Sequence, residues 1–152
     1  MTRLEKEESI IGSISLLANR LAQFGDGILP DITFKQWFLL LLISRIQDEE
    51  KSIRRIAEFA GTTRQNTKKL LVPLAEKGYV QITRSARDAR SLQVELTPKA
   101  WQYFAENAEQ TAEETDRLFQ PFAEEEIDRL AGLLGQLAQS LEEYGSRRDR
   151  DA

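Results

Sequence analysis

SIRRIAEFAGTTRQNTKKLLVPLAEKGYVQITRSARDARSLQVELT, residues 52–97, holds two short helices, a corner and a hairpin in one unbroken run. Ile53, Ile56, Ala57 and Ala60 recur at three- and four-residue spacing and define the inner face of a helix over 53–60. Gly61 supplies a tight turn, and Leu70, Leu71 and Leu74 form the inner face of a second helix over about 63–77. Ala57 is small where the two helices must cross closely. Small residue, glycine, polar helix start and aliphatic cluster, in that order, spell a helix-turn-helix. Gly78 then serves as the residue after the helix end. Val80 and Ile82, and later Leu92, Val94 and Leu96, alternate with polar residues as two strands of a hairpin. The fold predicted is mainly α with a small β-hairpin wing, a winged helix-turn-helix.

The second helix of such a pair offers its N-terminal residues to the major groove of DNA. Here they are Thr62, Thr63, Arg64, Gln65, Asn66, Lys68 and Lys69. These residue types suit contact with a duplex, since arginine can fork onto guanine, asparagine or glutamine onto adenine, and threonine, lysine and backbone amides onto phosphate. The hairpin loop adds Arg84, Arg87 and Arg90 around Asp88, on a loop longer than a tight hairpin needs. An arginine that projects from it can enter a narrow, A·T-rich minor groove. Asp88, which phosphate would repel, is expected to brace an arginine instead. Each segment alone has a plainer reading as a solvated charged surface. Together they favour DNA.

Charge is distributed to match. The 152 residues carry a net −4, yet residues 51–99 hold 11 lysines and arginines against 4 acids, a local +7. The remainder of the chain sums to −11. A basic module sits between acidic helical arms.

Working outward, Ile10, Ile14, Leu17, Leu21 and Phe24 form one stripe of a first helix, which Gly25 and Gly27 are expected to end. Thr33 and Gln36 have capping-box spacing and open a second helix over 34–46, apolar nearly all round and expected at the buried centre. The polar stretch 47–51 closes it. On the other side, Thr97 and Pro98 read as an N-cap and first helical position. Trp101, Ala105, Ala108, Ala112, Thr115 and Phe119 stripe the helix that follows, and Pro121 marks its end. Ile127, Leu130, Leu134, Leu137, Leu141 and Tyr144 stripe a last helix, with a polar, frayed tail expected over 145–152. The basic module has its own small core, so the long terminal helices have little else to cover them. We expect them to dimerise through Ile10, Ile14, Leu17, Leu21, Leu130, Leu134, Leu137 and Leu141. Residues 1–32 and 98–152 then form a helical dimerisation region around the winged region 33–97, in one continuous domain.

Residues 33–100 resemble the MarR family of bacterial regulators. The matching stretches are Thr33-Phe34-Lys35-Gln36-Trp37, residues 70–80, and Arg87-Asp88-Ala89-Arg90 followed by Val94-Glu95-Leu96-Thr97, the last being the most specific. The resemblance extends through the whole chain in helix order. It implies a homodimer whose first and last helices pack together while two winged modules reach a pseudo-palindromic DNA site. It also implies small aromatic or anionic effectors held between dimer helices and DNA module. In this sequence Phe34, Trp37, Trp101 and Tyr103 are the candidates to line such a pocket, with Arg20 as anion anchor; aromatic residues at helical spacing are also ordinary core. Three positions depart from the pattern: Ala100 stands where the family usually has glycine, Thr67 replaces an aliphatic residue, and Pro73 interrupts the recognition helix. Pro73 removes the amide bond to the carbonyl of Lys69 and is expected to bend the helix.

Cysteine and histidine are both absent, which removes disulfides, thiol redox sensing, Cys/His zinc sites and His-dependent triads. Neither a phosphate-binding glycine loop nor a nucleophile elbow is present, so no enzyme activity, cofactor or metal is expected. The charged start, residues 1–8, and the short apolar run 37–43 argue against export and membrane insertion, and place the chain in the cytoplasm. The sequence therefore points to a DNA-binding transcriptional regulator, a repressor by family. The alternative is a winged-helix protein-interaction module without specific DNA binding, which strong salt dependence of duplex binding would distinguish.

Overall fold

In the computed structural model, which describes residues 1–151 with side chains for 1–149, six helices flank one hairpin. They are α1 (Arg3–Ile28), α2 (Phe34–Arg45), α3 (Ile53–Ala60), α4 (Arg64–Glu76), β1 (Val80–Arg84), β2 (Leu92–Leu96), α5 (Pro98–Phe119) and α6 (Glu124–Asp151). Contacts divide the chain into two units between Ala108 and Glu109, so α5 contributes to both.

In the first unit, Thr2 and Glu5 open α1 with a reciprocal capping box, the Thr2 amide donating to Glu5 Oε2 at 2.6 Å. The helix does not stop at its glycines. It runs through Gly25 and Gly27 and ends where Pro30 disfavours helical backbone at Leu29. Gly25 has a packing role instead, because the ring of Phe34 occupies the space beside it. The expected capping box opens α2: the Gln36 amide donates to Thr33 Oγ1 at 3.2 Å and the Thr33 amide to Gln36 Oε1 at 2.9 Å. Burial of α2 is one-sided. Leu39, Leu40 and Ile43 are interior, while Phe38 keeps 45% of its surface exposed.

Ser52 caps α3, accepting from the Arg55 amide at 3.0 Å. Gly61 takes a left-handed φ of 66°, which turns the chain so that the Thr62 amide returns to the Ala57 carbonyl at 3.0 Å. Thr63 then caps α4 through the Asn66 amide at 3.1 Å. Leu71 and Leu74 are buried, and so is Thr67, whose hydroxyl donates to the Thr63 carbonyl at 2.9 Å. A threonine is tolerated at this aliphatic position because its one donor is satisfied inside the helix. Pro73 is accommodated within α4, which continues to Glu76. Leu40, Ile43, Ile56, Leu71, Leu74 and Val94 form the fully buried centre.

The hairpin pairs Val80 with Leu96, Ile82 with Val94 and Arg84 with Leu92. A third segment joins it: Ser52 bridges Gln93, and the Val94 amide donates to the Lys51 carbonyl at 2.8 Å. Residues 47–51, read from sequence as a polar closure, thus run beside the wing. Thr97, expected as an N-cap, donates its hydroxyl to the Gly78 carbonyl at 2.6 Å, tying the start of α5 to the end of α4. The stripe that α5 buries is Ala100 and Tyr103, with Phe104 packed alongside. The stripe read from sequence through Trp101, Ala105 and Ala108 is a different face of the helix, and all three are exposed. The core takes the face presented by Tyr103 because its ring meets Tyr79 edge-on, at 5.6 Å between centroids, while its hydroxyl donates to the Pro30 carbonyl at 2.8 Å.

In the second unit, α5 ends at a turn in which the Phe119 and Phe122 rings lie 6.1 Å apart. Pro121 sits in that turn. Three glutamates occupy the first turn of α6, where the helix dipole favours them. Leu130, Leu134 and Leu141 are exposed along α6, and Ile127 and Leu137 are half-buried. The helix continues through Gly145 to Asp151, where a frayed tail was expected, and Ala152 lies outside the described residues.

Candidate nucleic-acid interface

The first turns of α4 are held from beneath by one residue. Thr67 is fully buried against the core, which turns Thr62, Thr63, Arg64, Gln65, Asn66, Lys68 and Lys69 outward, and all seven are exposed. Among the described residues, Arg64, Lys68 and Lys69 form no ion pair. Asn66 lies against Thr62, its side-chain amide 3.4 Å from the threonine hydroxyl. Forked and amide side chains and two lysines therefore share one solvent-facing helix start.

The wing tip is more constrained than an exposed arginine loop suggests. Ser85 is buried, donates to Glu50 Oε2 at 2.5 Å, and accepts from the amides of Arg87 and Asp88 at 3.1 and 3.2 Å. Asp88 Oδ1 accepts the Arg90 backbone amide at 3.0 Å, so it braces the loop's main chain and no guanidinium. Arg84 donates to the Ala89 carbonyl at 3.1 Å, and Arg87 is ion-paired with Glu49. Arg90 forms no ion pair among the described residues. It lines a crevice of about 130 Å³ together with Ile53, Arg54, Arg64, Lys68, Ser91 and Leu92.

The acids near the wing come from a segment that the local charge count left out. Asp48 pairs with Arg55 at 2.9 Å, Glu49 with Arg87, and Glu50 with Ser85. Adding these three to residues 51–99 lowers the local charge from +7 to +4. Acid is concentrated on the base of the wing; the α4 surface stays cationic.

The five residues expected to form an effector pocket do not line one cavity. Arg20 is exposed on α1, and Trp37 packs on the core beside Phe34, 5.6 Å between rings. Tyr103 is buried, and Trp101 is 54% exposed with its edge on Phe104. Phe34 alone of the five lines a larger crevice of about 510 Å³, with Lys35, Phe38, Leu39, Leu42, Ala60, Thr62, Asn66 and Leu70. The rings of Phe34 and Phe38 are parallel there, 6.1 Å apart. The sequence signal for this crevice was Phe38, an aromatic on a helix already supplied with core residues.

A polar cluster not anticipated from sequence joins the α1–α2 connection to the start of β1. Asp31 has a left-handed φ of 66°. Its Oδ2 accepts the Tyr79 hydroxyl at 2.5 Å, its Oδ1 accepts Lys77 Nζ at 3.2 Å, and Lys77 also reaches its carbonyl. The Tyr79 and Lys77 hydrogen bonds hold the Asp31 carboxyl below the usual carboxylate range. Burial, then the bond to Asp31, pushes the Tyr79 phenol well up. Burial pushes Tyr103 up to about 12.

Among the described residues, no helix is long and apolar enough to cross a membrane, and no group of acidic side chains is arranged to hold a metal ion.

A family model described as the MarR family matches residues 31–91. No curated protein matches the chain. Among solved structures, a MarR/EmrR family transcriptional regulator from Acinetobacter sp. ADP1 is similar with a TM-score of 0.76 and 21% identity, over 90% of this chain and 97% of that one. MepR of S. aureus, solved as a DNA complex, is similar with a TM-score of 0.73 and 22% identity, over 84% and 94%. The PcaV transcriptional regulator of Streptomyces coelicolor, solved with its natural ligand, gives 0.67 and 20%, over 82% and 91%. At such identities the likeness establishes the fold.

Proposed function

Residues 31–91 match the MarR family model, and from that likeness we propose that the chain is a MarR-type transcriptional regulator that binds a specific site on double-stranded DNA as a homodimer. The observation that carries this reading is the outward-facing start of α4: seven polar or cationic side chains, none of its three cations ion-paired among the described residues. In the major groove, Gln65 and Asn66 offer donor–acceptor amides to base edges, and Lys69 and the wing arginines Arg84 and Arg87 lie where backbone phosphates pass. A glutamate-paired arginine such as Arg87 is the weaker contributor, since phosphate must displace Glu49.

Dimerisation follows from two separate apolar faces. Ile10, Ile14, Leu17 and Leu21 on α1, and Leu130, Leu134 and Leu141 with half-buried Leu137 on α6, leave stripes of large aliphatic side chains exposed to water, the kind of surface that marks an interaction site. A second copy covers them and presents two winged modules to half-sites about one helical turn apart. Occupying such a site excludes other proteins from it, so the regulator acts as a repressor, in the cytoplasm. Effector release belongs to the crevice of Phe34, Phe38, Lys35, Thr62 and Asn66, which falls in the size range of small-molecule sites and touches the α4 residues that read DNA. The DNA complex of MepR and the natural-ligand complex of PcaV support both kinds of partner for this fold.

Selection of bound genomic fragments by the full-length protein, followed by titration at several salt concentrations, tests the reading. The expected result is one enriched pseudo-palindrome and affinity that falls by orders of magnitude between low and moderate salt. Retention of no duplex at low salt would favour a protein-interaction module in its place.

A further inference from the structure

We propose that the small crevice between α3, α4 and the wing is a seat for a single phosphate of the DNA backbone, and that Arg54 holds that phosphate together with Arg64, Lys68 and Arg90. The proposal rests on the DNA-binding reading above and adds to it a residue and a site.

Three elements that are distant in sequence converge there. Arg54 comes from the first turn of α3, Arg64 and Lys68 lie one turn apart on α4, and Arg90 closes the crevice from the wing. Its remaining lining is Ile53, Ser91 and Leu92, so no carboxylate faces it. Arg64, Lys68 and Arg90 have no ion-pair partner among the described residues. Among the described residues Arg54 pairs only with Glu58, at 3.7 Å, with both side chains largely exposed and Glu58 outside the crevice. Four like charges around a space of about 130 Å³ repel one another, and an anion placed among them relieves the repulsion.

The shape argues for a phosphodiester. The crevice is large enough for a tetrahedral oxyanion, and guanidiniums from three directions can fork onto its unesterified oxygens. Its walls are the recognition helix and the wing, the two elements that flank a DNA strand when such a module docks. A phosphate bound there fixes α4 and the wing to the same point on the duplex. Arg64 and Arg90 then set position on any sequence, and neither is a base or minor-groove reader. Arg55, the next residue on α3, is committed to Asp48 and lines no part of the crevice.

Full-length wild type, Arg54→Ala and Arg55→Ala are titrated onto a selected duplex and a random duplex over a salt series. Circular dichroism confirms that each folds; Arg54 is exposed, so its truncation removes no core contact. Arg54→Ala is expected to weaken both duplexes by the same factor, roughly tenfold, and to reduce the salt slope by about one, while Arg55→Ala changes neither. Replacing phosphates of the selected duplex by methylphosphonates one at a time should identify a position whose neutralisation weakens wild type more than it weakens Arg54→Ala, which keeps Arg64, Lys68 and Arg90 around the same phosphate. Equal affinity and slope for wild type and Arg54→Ala overturn the proposal and leave the DNA-binding reading intact. A wild type that binds no duplex overturns the reading itself. Inorganic phosphate is the remaining arm: stabilisation by it at constant ionic strength, lost in Arg54→Ala while duplex binding is unchanged, would mean a free-anion site and overturn the proposal.

Discussion

The carboxylate of Asp31 accepts the hydroxyl of Tyr79 at 2.5 Å, linking the residue that bridges α1 and α2 to the residue that leads from α4 into the wing. Lys77 adds a second tie to the same carboxylate, and Lys99 sits 4.5 Å over the Tyr79 ring. The Asp31 carboxyl lies below its ordinary range in the folded chain, so its contribution is present above that range and is lost as pH falls through the folded value. Asp31→Asn keeps a residue that accepts left-handed backbone and removes the charge together with one of the two acceptor oxygens that Tyr79 and Lys77 use. The variant should melt below wild type at neutral pH, and the gap should close below about pH 4. For the tyrosines the sign reverses: with both phenols raised, and Tyr103 up to about 12, their contribution is present below about pH 10 and lost as pH rises. Melting temperatures from pH 3 to 11 follow both trends, and a gap that does not narrow at all as pH falls below about 4 would show that Asp31 acts through geometry and not charge.

Gly25 shows the opposite of the usual cost of glycine in a helix. A Cβ at this position would come within 2.2 Å of the Phe34 ring, so Gly25→Ala should destabilise by about 1–3 kcal/mol through overpacking. Gly12 lies on the same helix with nothing within 4 Å. Gly12→Ala should stabilise by about 0.5–1 kcal/mol. Urea unfolding of the two variants decides the matter; equal effects would mean that helix propensity alone governs both.

How far the sequence could be read depended on how local the determinants were. The stretch 52–97 was legible because its caps, turn glycines and alternating strands act within a few residues, as Ser52, Gly61, Thr63 and Gly78 do. Periodicity found the apolar residues of α5 but not its phase: Trp101, Ala105 and Ala108 form as good a stripe as Ala100, Tyr103 and Phe104, and only the Tyr79 and Pro30 partners choose between them. Long-range charge pairing was hidden for the same reason. Arg87 and Glu49 are 38 residues apart, and nothing near either one announces the other. The crevice with Arg54 likewise needs the wing folded back onto α3 before its charges are neighbours.

In the proposed dimer a second copy covers the α1 and α6 faces, which makes the oligomeric state sensitive to single charges. Leu17→Glu or Leu134→Glu, each at an exposed leucine, should leave the monomer's own core intact and shift the protein from dimer to monomer. Light scattering after gel filtration measures the shift. Loss of one winged module per complex should then lower affinity for a two-half-site duplex far more than for a single half-site, because the second binding event is no longer intramolecular. A dimer of unchanged stability in both variants would place the interface elsewhere.

Under the proposed DNA-binding function, base reading and phosphate contact separate on α4 by residue type. Asn66 can both donate to and accept from an adenine edge, so Asn66→Ala should lower affinity for the selected site by about 1–3 kcal/mol and leave random duplex nearly unchanged. Lys69 has only ammonium donors and no base-specific pattern, so Lys69→Ala should weaken both duplexes alike and reduce the salt slope by about one. The packing makes this a clean comparison: both side chains are exposed and α4 is anchored beneath them by Thr67, so neither truncation disturbs the helix it sits on. Competition between selected and random duplex, run with each variant at fixed salt, separates the two effects. If Asn66→Ala lowers both affinities equally, the recognition helix reads the selected site through other side chains than this one.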